Sequence, residues 1–395
     1  MKGRPRSTSV TVRAPVRVSF GGGGTDLPVY YRQHGGFVLS ATLDRYSYVA
    51  VRPNREPGIM VRSIDYGMQI GIPQDGIVPA NEPLRLPKAA IGWLVDRIGP
   101  LDRAHLQLTL RSDVPPGTGL GSSSAMAVAL VMALTRLAGI SLDAGPLAEA
   151  ACDVEINRLG LPIGKQDQYA AAYGGLNAIE FTDEVRVNRV NLSPSVLHEL
   201  ERRLLLFSTG RTRSSAMVLS EQRREAERSG PVIRSLHRIK ELGRQMHGAL
   251  LTAELEAFGE LLHEAWTVKR GLSDKVSSSD IDDWYSTARR AGAVGGKLTG
   301  AGAGGHLLLF ARPDAVEAVR QAMRTQKLAE VPVRFTTGGP QILTGPSSRS
   351  PLMEIGFEGG FPAVGTLDLP HADGEVTAGS DSYRNRTASR RSAHG

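Results

Sequence analysis

Cysteine is almost absent from this 395-residue chain: Cys152 is the only one. No intrachain disulfide can form, and the position of that thiol in an apolar stretch points to a reducing compartment. Long hydrophobic runs are missing as well. The longest, Ala125 to Leu134, is about half the ~20 residues a membrane span needs and is closed by Arg136, so it reads as a buried helix. The charged N-terminus has no apolar core before Val10, which predicts no secretory signal and a cytoplasmic location. Acidic residues are missing from both ends. Residues 1–17 carry Lys2, Arg4, Arg6, Arg13 and Arg17, and residues 384–395 carry Arg384, Arg386, Arg390 and Arg391, with no acid in either segment. These cations exceed the formal net charge of +7, so residues 18–383 sum to −2. The excess that would suggest a nucleic-acid partner sits at the ends, and the body is not basic.

What is present is a globular composition, with 41% apolar and 22% charged residues, which excludes a wholly disordered chain. The length accommodates about two or three domains of ordinary size. Glycine is in surplus at 45 residues, about 11% against a usual value of roughly 7%.

Residues 8–111 read mostly as strands. Val10, Val12, Val16, Val18 and Phe20 alternate with other positions, and Phe37–Leu43, Tyr46–Arg52 and Ile59–Ile64 follow. Helical spacing appears over Pro87–Arg97, before a strand carrying Leu106, Leu108 and Leu110. Helices are then expected over 122–138 and 143–159, the second capped by Asp143, with short strands at 175–181 and 185–190. A second unit begins near Ser193. It has strands at Arg203–Ser208, Gly305–Ala311 and Val331–Thr336, and helices near 213–228, 232–248, 253–268, 279–291 and 313–327. Residues 346–395, rich in Ser, Gly, Pro and Arg, read as a mostly disordered tail.

Much of the glycine lies in three segments: Arg17–Pro28 (RVSFGGGGTDLP), Pro115–Ala125 (PPGTGLGSSSA) and Gly295–Gly305 (GGKLTGAGAGG). The second suits a triphosphate. A strand ends near Arg111, glycines permit close backbone approach, and a helix opening near Ser122 offers free N–H groups and its dipole to an anion. No Lys precedes the serines, so it is not a Walker A loop, and the alternative is a helix-start loop with serine capping. The third contains G-x-G-x-x-G at Gly300, Gly302 and Gly305, but it precedes a strand and opens no helix, so it fails as a dinucleotide fingerprint. Packing or ligand contact both fit it.

Taken together, the three segments resemble the signature motifs of the GHMP kinases, in order and separation, over about residues 8–340. Within that family, Ala14–Tyr46, Gly164–Asn177 (GKQDQYAAAYGGLN) and Leu204–Gln222 resemble the D-glycero-D-manno-heptose 7-phosphate kinases. Galactokinase is disfavoured, because its motif has Glu-His where this chain has Gly23-Gly24. The resemblance implies an α+β fold in two domains: residues 1–192, ribosomal protein S5 domain 2-like, and residues 193–345, ferredoxin-like. It implies an ATP- and Mg²⁺-dependent kinase acting on the anomeric hydroxyl of a sugar phosphate, with an L-fucokinase-like enzyme as the alternative. A non-catalytic family member and a protein binding nucleic acid through its basic ends are further alternatives; the last requires salt-sensitive binding that is lost without residues 1–8 and 380–395.

The same resemblance assigns roles. Asp167 becomes the base toward the attacking hydroxyl, and Arg17 a partner of the transferred phosphate. Pro116, Gly117, Thr118, Gly119, Leu120, Gly121, Ser122, Ser123 and Ser124 form the ATP loop. Ser123 and Glu155 supply hard oxygens for magnesium. Asp26 accepts from sugar hydroxyls, Gly22, Gly23 and Gly24 let the sugar approach, and Thr25 adds a polar group. Gly302 and Gly304 pack beside the ATP loop, where Lys297 meets a phosphate or remains solvated. For a substrate phosphate the candidates are Lys165, Arg211 and Arg213.

Overall fold

The computed structural model describes residues 9–55, 57–72, 84–99, 105–211, 230–273, 275–300, 302 and 304–343. The expected tail, the helix near 213–228 and Arg213 lie outside them.

Apolar alternation at the start of the chain produces a strand, β1 (Val10–Gly21), that pairs antiparallel with β2 (Gly36–Pro53). The two strands expected within residues 37–52 are one, 18 residues long, with Asp44 exposed at its middle. The sheet continues through β3 (Gly58–Ser63), β4 (Met68–Ile72), β5 (His105–Ser112), β6 (Leu176–Phe181) and β7 (Val185–Arg189). Two register shifts interrupt the β1–β2 ladder, at Pro15/Arg17 and Ser19/Gly21. Bulges of this kind re-aim side chains, and these two bracket Arg17 and Ser19.

Across the sheet lies the helix Ser122–Leu137, whose alanine-rich sequence is buried nearly all round, as a helix without a polar face must be. The helix expected over 143–159 is α-helical only over Ala144–Cys152 and continues as a π-turn over Asp153–Arg158. Its expected cap is also corrected, since Asp143 makes no side-chain capping bond. Glu155 sits in the widened turn, fully buried, where it finds its partners across the fold.

A second sheet is built from β8 (Leu204–Ser208), β9 (Ala293–Leu298), β10 (His306–Ala311) and β11 (Ala329–Val331), all antiparallel in the order β11-β8-β10-β9. Its central strands are continuous apolar runs because both faces are covered. Leu204, Leu206, Leu308 and Phe310 join the core of the first sheet, and Leu205, Phe207, Leu307 and Leu309 face a second cluster with Trp266 and Tyr285. The strand expected over 331–336 ends at Val331. Residues beyond it leave for the first sheet, where Phe335 bridges to Leu43 and β12 (Gln341–Leu343) pairs with β1.

The two sheets meet through aromatic rings. Phe258, on the helix Leu255–Arg270, is wholly buried and packs edge-on against Phe20 of β1 at 5.4 Å and Phe310 of β10 at 5.5 Å. Phe258→Ala should therefore cost about 3–5 kcal/mol of unfolding free energy, measured by urea denaturation. A loss under about 1 kcal/mol would show that this contact does not couple the sheets.

Candidate active site

All three glycine segments converge on one cleft. Its lining includes Arg17, Gly23, Gly24 and Asp26 of the first, Gly117, Gly119, Gly121, Ser122, Ser123 and Ser124 of the second, and Lys297 and Gly300 of the third. Asp167 and Glu155 line it too.

Arg17 is at the centre. It is only 4% exposed, although an arginine on a strand is ordinarily solvated. Its Nε donates to Asp167 Oδ1 at 2.7 Å, its Nη2 lies 2.5 Å from the same oxygen, and its Nη1 donates to the Gly119 carbonyl at 2.8 Å. Its backbone N–H donates to the Leu120 carbonyl at 2.9 Å, tying strand to loop. Gly121 makes room: a Cβ there would come within 3.3 Å of both the Arg17 guanidinium carbon and Asp167 Oδ2, and its φ of +73° favours glycine. Asp167 stands in the first turn of a short helix, Gln166–Tyr173, which the sequence reading did not anticipate.

The helix Ser122–Leu137 opens on Gly121 with no side-chain cap. The serine-capping alternative is thus not realised, and the serines serve elsewhere. Ser123 Oγ donates to Glu155 Oε1 at 2.7 Å, and Gln168 Nε2 donates to Glu155 Oε2 at 2.6 Å. Burial pushes the Glu155 carboxyl above its ordinary pKa, while hydrogen bonds from Ser124, Ser123 and Gln168 pull it down. The result is an enclosed carboxylate beside a hydroxyl at a helix N-terminus. Pro116, Thr118 and Leu120 are not among the residues lining the cleft: Thr118 Oγ1 donates to the Pro115 carbonyl at 2.8 Å, and Leu120 is wholly buried.

Glycines of the third segment do pack against this loop, but they are Gly300 and Gly305. A Cβ on Gly300 would sit 2.6 Å from Gly119 Cα, and one on Gly305 2.4 Å from the Thr118 carbonyl oxygen. Gly302 and Gly304 instead abut the backbones of Val276 and Arg211, which corrects their expected placement.

Other expectations are also revised. Thr25 is wholly buried and its hydroxyl bonds to the backbone of Gly22 and Phe37, so it locks a turn and does not face the cleft. Lys165 pairs with Glu149 at 2.8 Å, and Arg211 pairs with Asp280; neither lines the cleft. Lys297 does line it and is not solvated: it is 6% exposed and donates weakly to the Phe20 carbonyl at 3.3 Å. Lys269 was missed, because a lysine in the last turn of an amphipathic helix looks like an ordinary surface cation. Its ammonium is enclosed in the cleft, bonded to the Gly300 carbonyl. Arg17, Lys269 and Lys297 thus share the cleft with three carboxylates, Asp26, Glu155 and Asp167.

Burial, then the positive charge of Arg17, lowers the Lys269 ammonium from its usual pKa of 10.5 to about 8. Burial lowers Lys297 further, with Lys269 and Arg17 adding to the effect. Between those two values for Lys269 the unfolded chain holds more protons than the folded one, so stability from this group rises with pH through that window. Lys269→Met removes the penalty. Urea midpoints should therefore favour the variant fully below about pH 8, with the gap narrowing as pH rises from about 8 toward about 10. A gap independent of pH would mean that Lys269 is solvated.

Comparison with known proteins bears on what this cleft does. Residues 85–175 match the GHMP kinases N terminal domain and residues 234–329 the GHMP kinases C terminal domain. The chain is 29% identical over 335 residues to D-glycero-alpha-D-manno-heptose 7-phosphate kinase of Campylobacter jejuni, covering 84% of this chain and 98% of that one. It is 30% identical over 239 residues to a mevalonate kinase of Methanothermobacter thermautotrophicus, covering 59% of this chain and 74% of that one. The crystal structure of a D-glycero-D-manno-heptose 1-phosphate kinase from Bacteroides thetaiotaomicron superposes with a TM-score of 0.72 at 27% identity, covering 86% of this chain and all of that one. With three motifs in one cleft and both domains of the family matched, the chain belongs to the GHMP kinases.

Proposed function

We propose that this GHMP kinase is a sugar kinase that transfers the γ-phosphoryl group of ATP to the anomeric hydroxyl of a sugar phosphate, D-glycero-D-manno-heptose 7-phosphate, giving the 1,7-bisphosphate. We take residues 1–192 and 193–345 as its two domains, with Phe335 and β12 returning from the second to the first sheet. The observation that carries the reading is the Arg17–Asp167 pair beside an uncapped helix N-terminus. A relative matched over 98% of its own length and 84% of this chain, which bears the heptose 7-phosphate kinase name, supports the acceptor.

Phosphoryl transfer asks the protein for positioning and charge neutralisation more than for covalent chemistry. The glycine loop and the N–H groups opening the helix Ser122–Leu137 receive the phosphates of ATP. Asp167 orients the anomeric hydroxyl and takes its proton as the oxygen attacks. Arg17 orients that carboxylate through two contacts to its Oδ1 and, with Lys269 and Lys297, neutralises the oxygens of the group in flight.

Ser123 and Glu155 fit magnesium: both offer oxygen only, they lie 2.7 Å apart, and Glu155 is a buried carboxylate held by Ser123 and Gln168, with no cationic partner among the described residues. Such an ion, when bound, would neutralise phosphate charge. The carboxylate would hold it while Gln168 fixes the far oxygen.

A free sugar such as L-fucose is the second reading, favoured by the apolar part of the lining. Leu27, Leu161 and Ile163 line the cleft, and Arg17, Lys269 and Lys297 are the cations among the described lining residues. ADP release with ATP-Mg²⁺ and a panel of sugars and sugar phosphates separates the two. Turnover of a free hexose but of no seven-carbon phosphate would replace the proposed acceptor. Asp167→Asn should lower kcat roughly 10²- to 10⁴-fold while ATP affinity is kept. Near-normal kcat would remove Asp167 from the chemistry.

A further inference from the structure

Two polar atoms in the cleft have no partner, and both belong to residues without a role so far. Ser19 Oγ and Gln166 Oε1 are buried and unbonded, and both residues line the cleft. Burying a hydroxyl or an amide oxygen without a hydrogen bond is costly, so such atoms in a cleft await a ligand. They converge on one spot. A Cβ on Gly23 would lie 3.8 Å from Ser19 Oγ and 3.9 Å from Gln166 Oε1. Ser19 comes two residues after Arg17 on β1, on the same side of the strand and between the two bulges.

Asp26, by contrast, has little capacity left. Its Oδ1 accepts from the Gly24 N–H at 3.0 Å and Gln166 Nε2 at 2.9 Å, and its Oδ2 accepts from the Gln166 N–H at 3.1 Å. Gly164 covers Oδ2: a Cβ there would lie 1.9 Å from it. The residue is 2% exposed. Because Asp26 takes the amide nitrogen of Gln166, the amide is fixed in one orientation and its oxygen is left without a partner.

We propose that Ser19 and Gln166 hold the hydroxyls of the acceptor at Gly23, and that Asp26 is a positioning residue acting through the Gln166 amide. The assignment rests on the sugar-kinase reading. An amide oxygen accepts only, so Gln166 Oε1 takes a hydroxyl donor, while the Ser19 hydroxyl can accept or donate.

Steady-state kinetics with D-glycero-D-manno-heptose 7-phosphate and with L-fucose, at saturating ATP-Mg²⁺, test the idea. Ser19→Ala deletes an unbonded hydroxyl and should leave the melting temperature and the KM for ATP unchanged. The acceptor KM should rise roughly three- to tenfold, the worth of one hydrogen bond. Gly23→Ala is sterically accommodated, its nearest neighbour being 3.7 Å from the new methyl, yet it fills the corner and should raise the acceptor KM at least as much. In a Gln166→Met background, Asp26→Asn should then change the acceptor KM no further. Wild-type acceptor KM in both Ser19→Ala and Gly23→Ala overturns the site, and a full additional loss from Asp26→Asn overturns the indirect role of Asp26. Absence of turnover by the wild-type chain with every sugar would instead defeat the kinase reading on which the site rests.

Discussion

One ion pair organises this molecule. Arg17 and Asp167 lie 150 residues apart in sequence, and holding them together requires β1, the glycine loop and the helix Gln166–Tyr173 to meet at one point. The guanidinium also clamps the loop through the Gly119 carbonyl, so the carboxylate and the phosphate-facing backbone are positioned by the same side chain. A partly buried pair of this kind is weak evidence for stability, since desolvation offsets much of the attraction. Its worth lies in geometry. Several local choices in the sequence become intelligible as ways of fitting around it: the bulge before Arg17, the absent side chain at Gly121, and the apolar helix that opens beside it.

Charge is distributed by the same logic. The cleft gathers Arg17, Lys269 and Lys297 within a body whose sum is slightly acidic. Arg17 is paired with Asp167, whereas Lys269 and Lys297 are held by backbone carbonyls, which leaves their field for a ligand. Glu155 is held by a hydroxyl and an amide and has no cationic partner among the described residues. Phosphate and metal together would supply the counter-ions that these lysines and Glu155 lack.

Much of this was legible in the sequence, and for a physical reason. Backbone that must approach a phosphate has to be glycine, so the loops announced themselves, as did the strand alternation around Arg17. Glu155 and Ser123 were legible as a pair. What escaped was whatever depends on the far side of a contact. Lys269 looks like any cation ending an amphipathic helix, and its enclosure is created by Gly300, 31 residues on. Gln166 and Ser19 carry no motif of their own; only the saturation of Asp26 and the empty space at Gly23 make them stand out. Lys165 and Arg211 erred in the opposite direction, because their acidic partners, Glu149 and Asp280, are remote in sequence. The strand over 331–336 failed because two sheets compete for those residues, and a period of two cannot say which one wins.

The seam between the second and third glycine segments is main chain laid on main chain, Gly300 on Gly119 and Gly305 on Thr118. A surface of this sort has no side chains to delete. Truncation to alanine, the usual way to map a site, would pass over it as featureless or record only the damage done by an added methyl group. Its tolerance is therefore one-sided: nothing can be removed and almost nothing can be added, so variation in these enzymes has to be sought on the rim of the cleft and not along its floor.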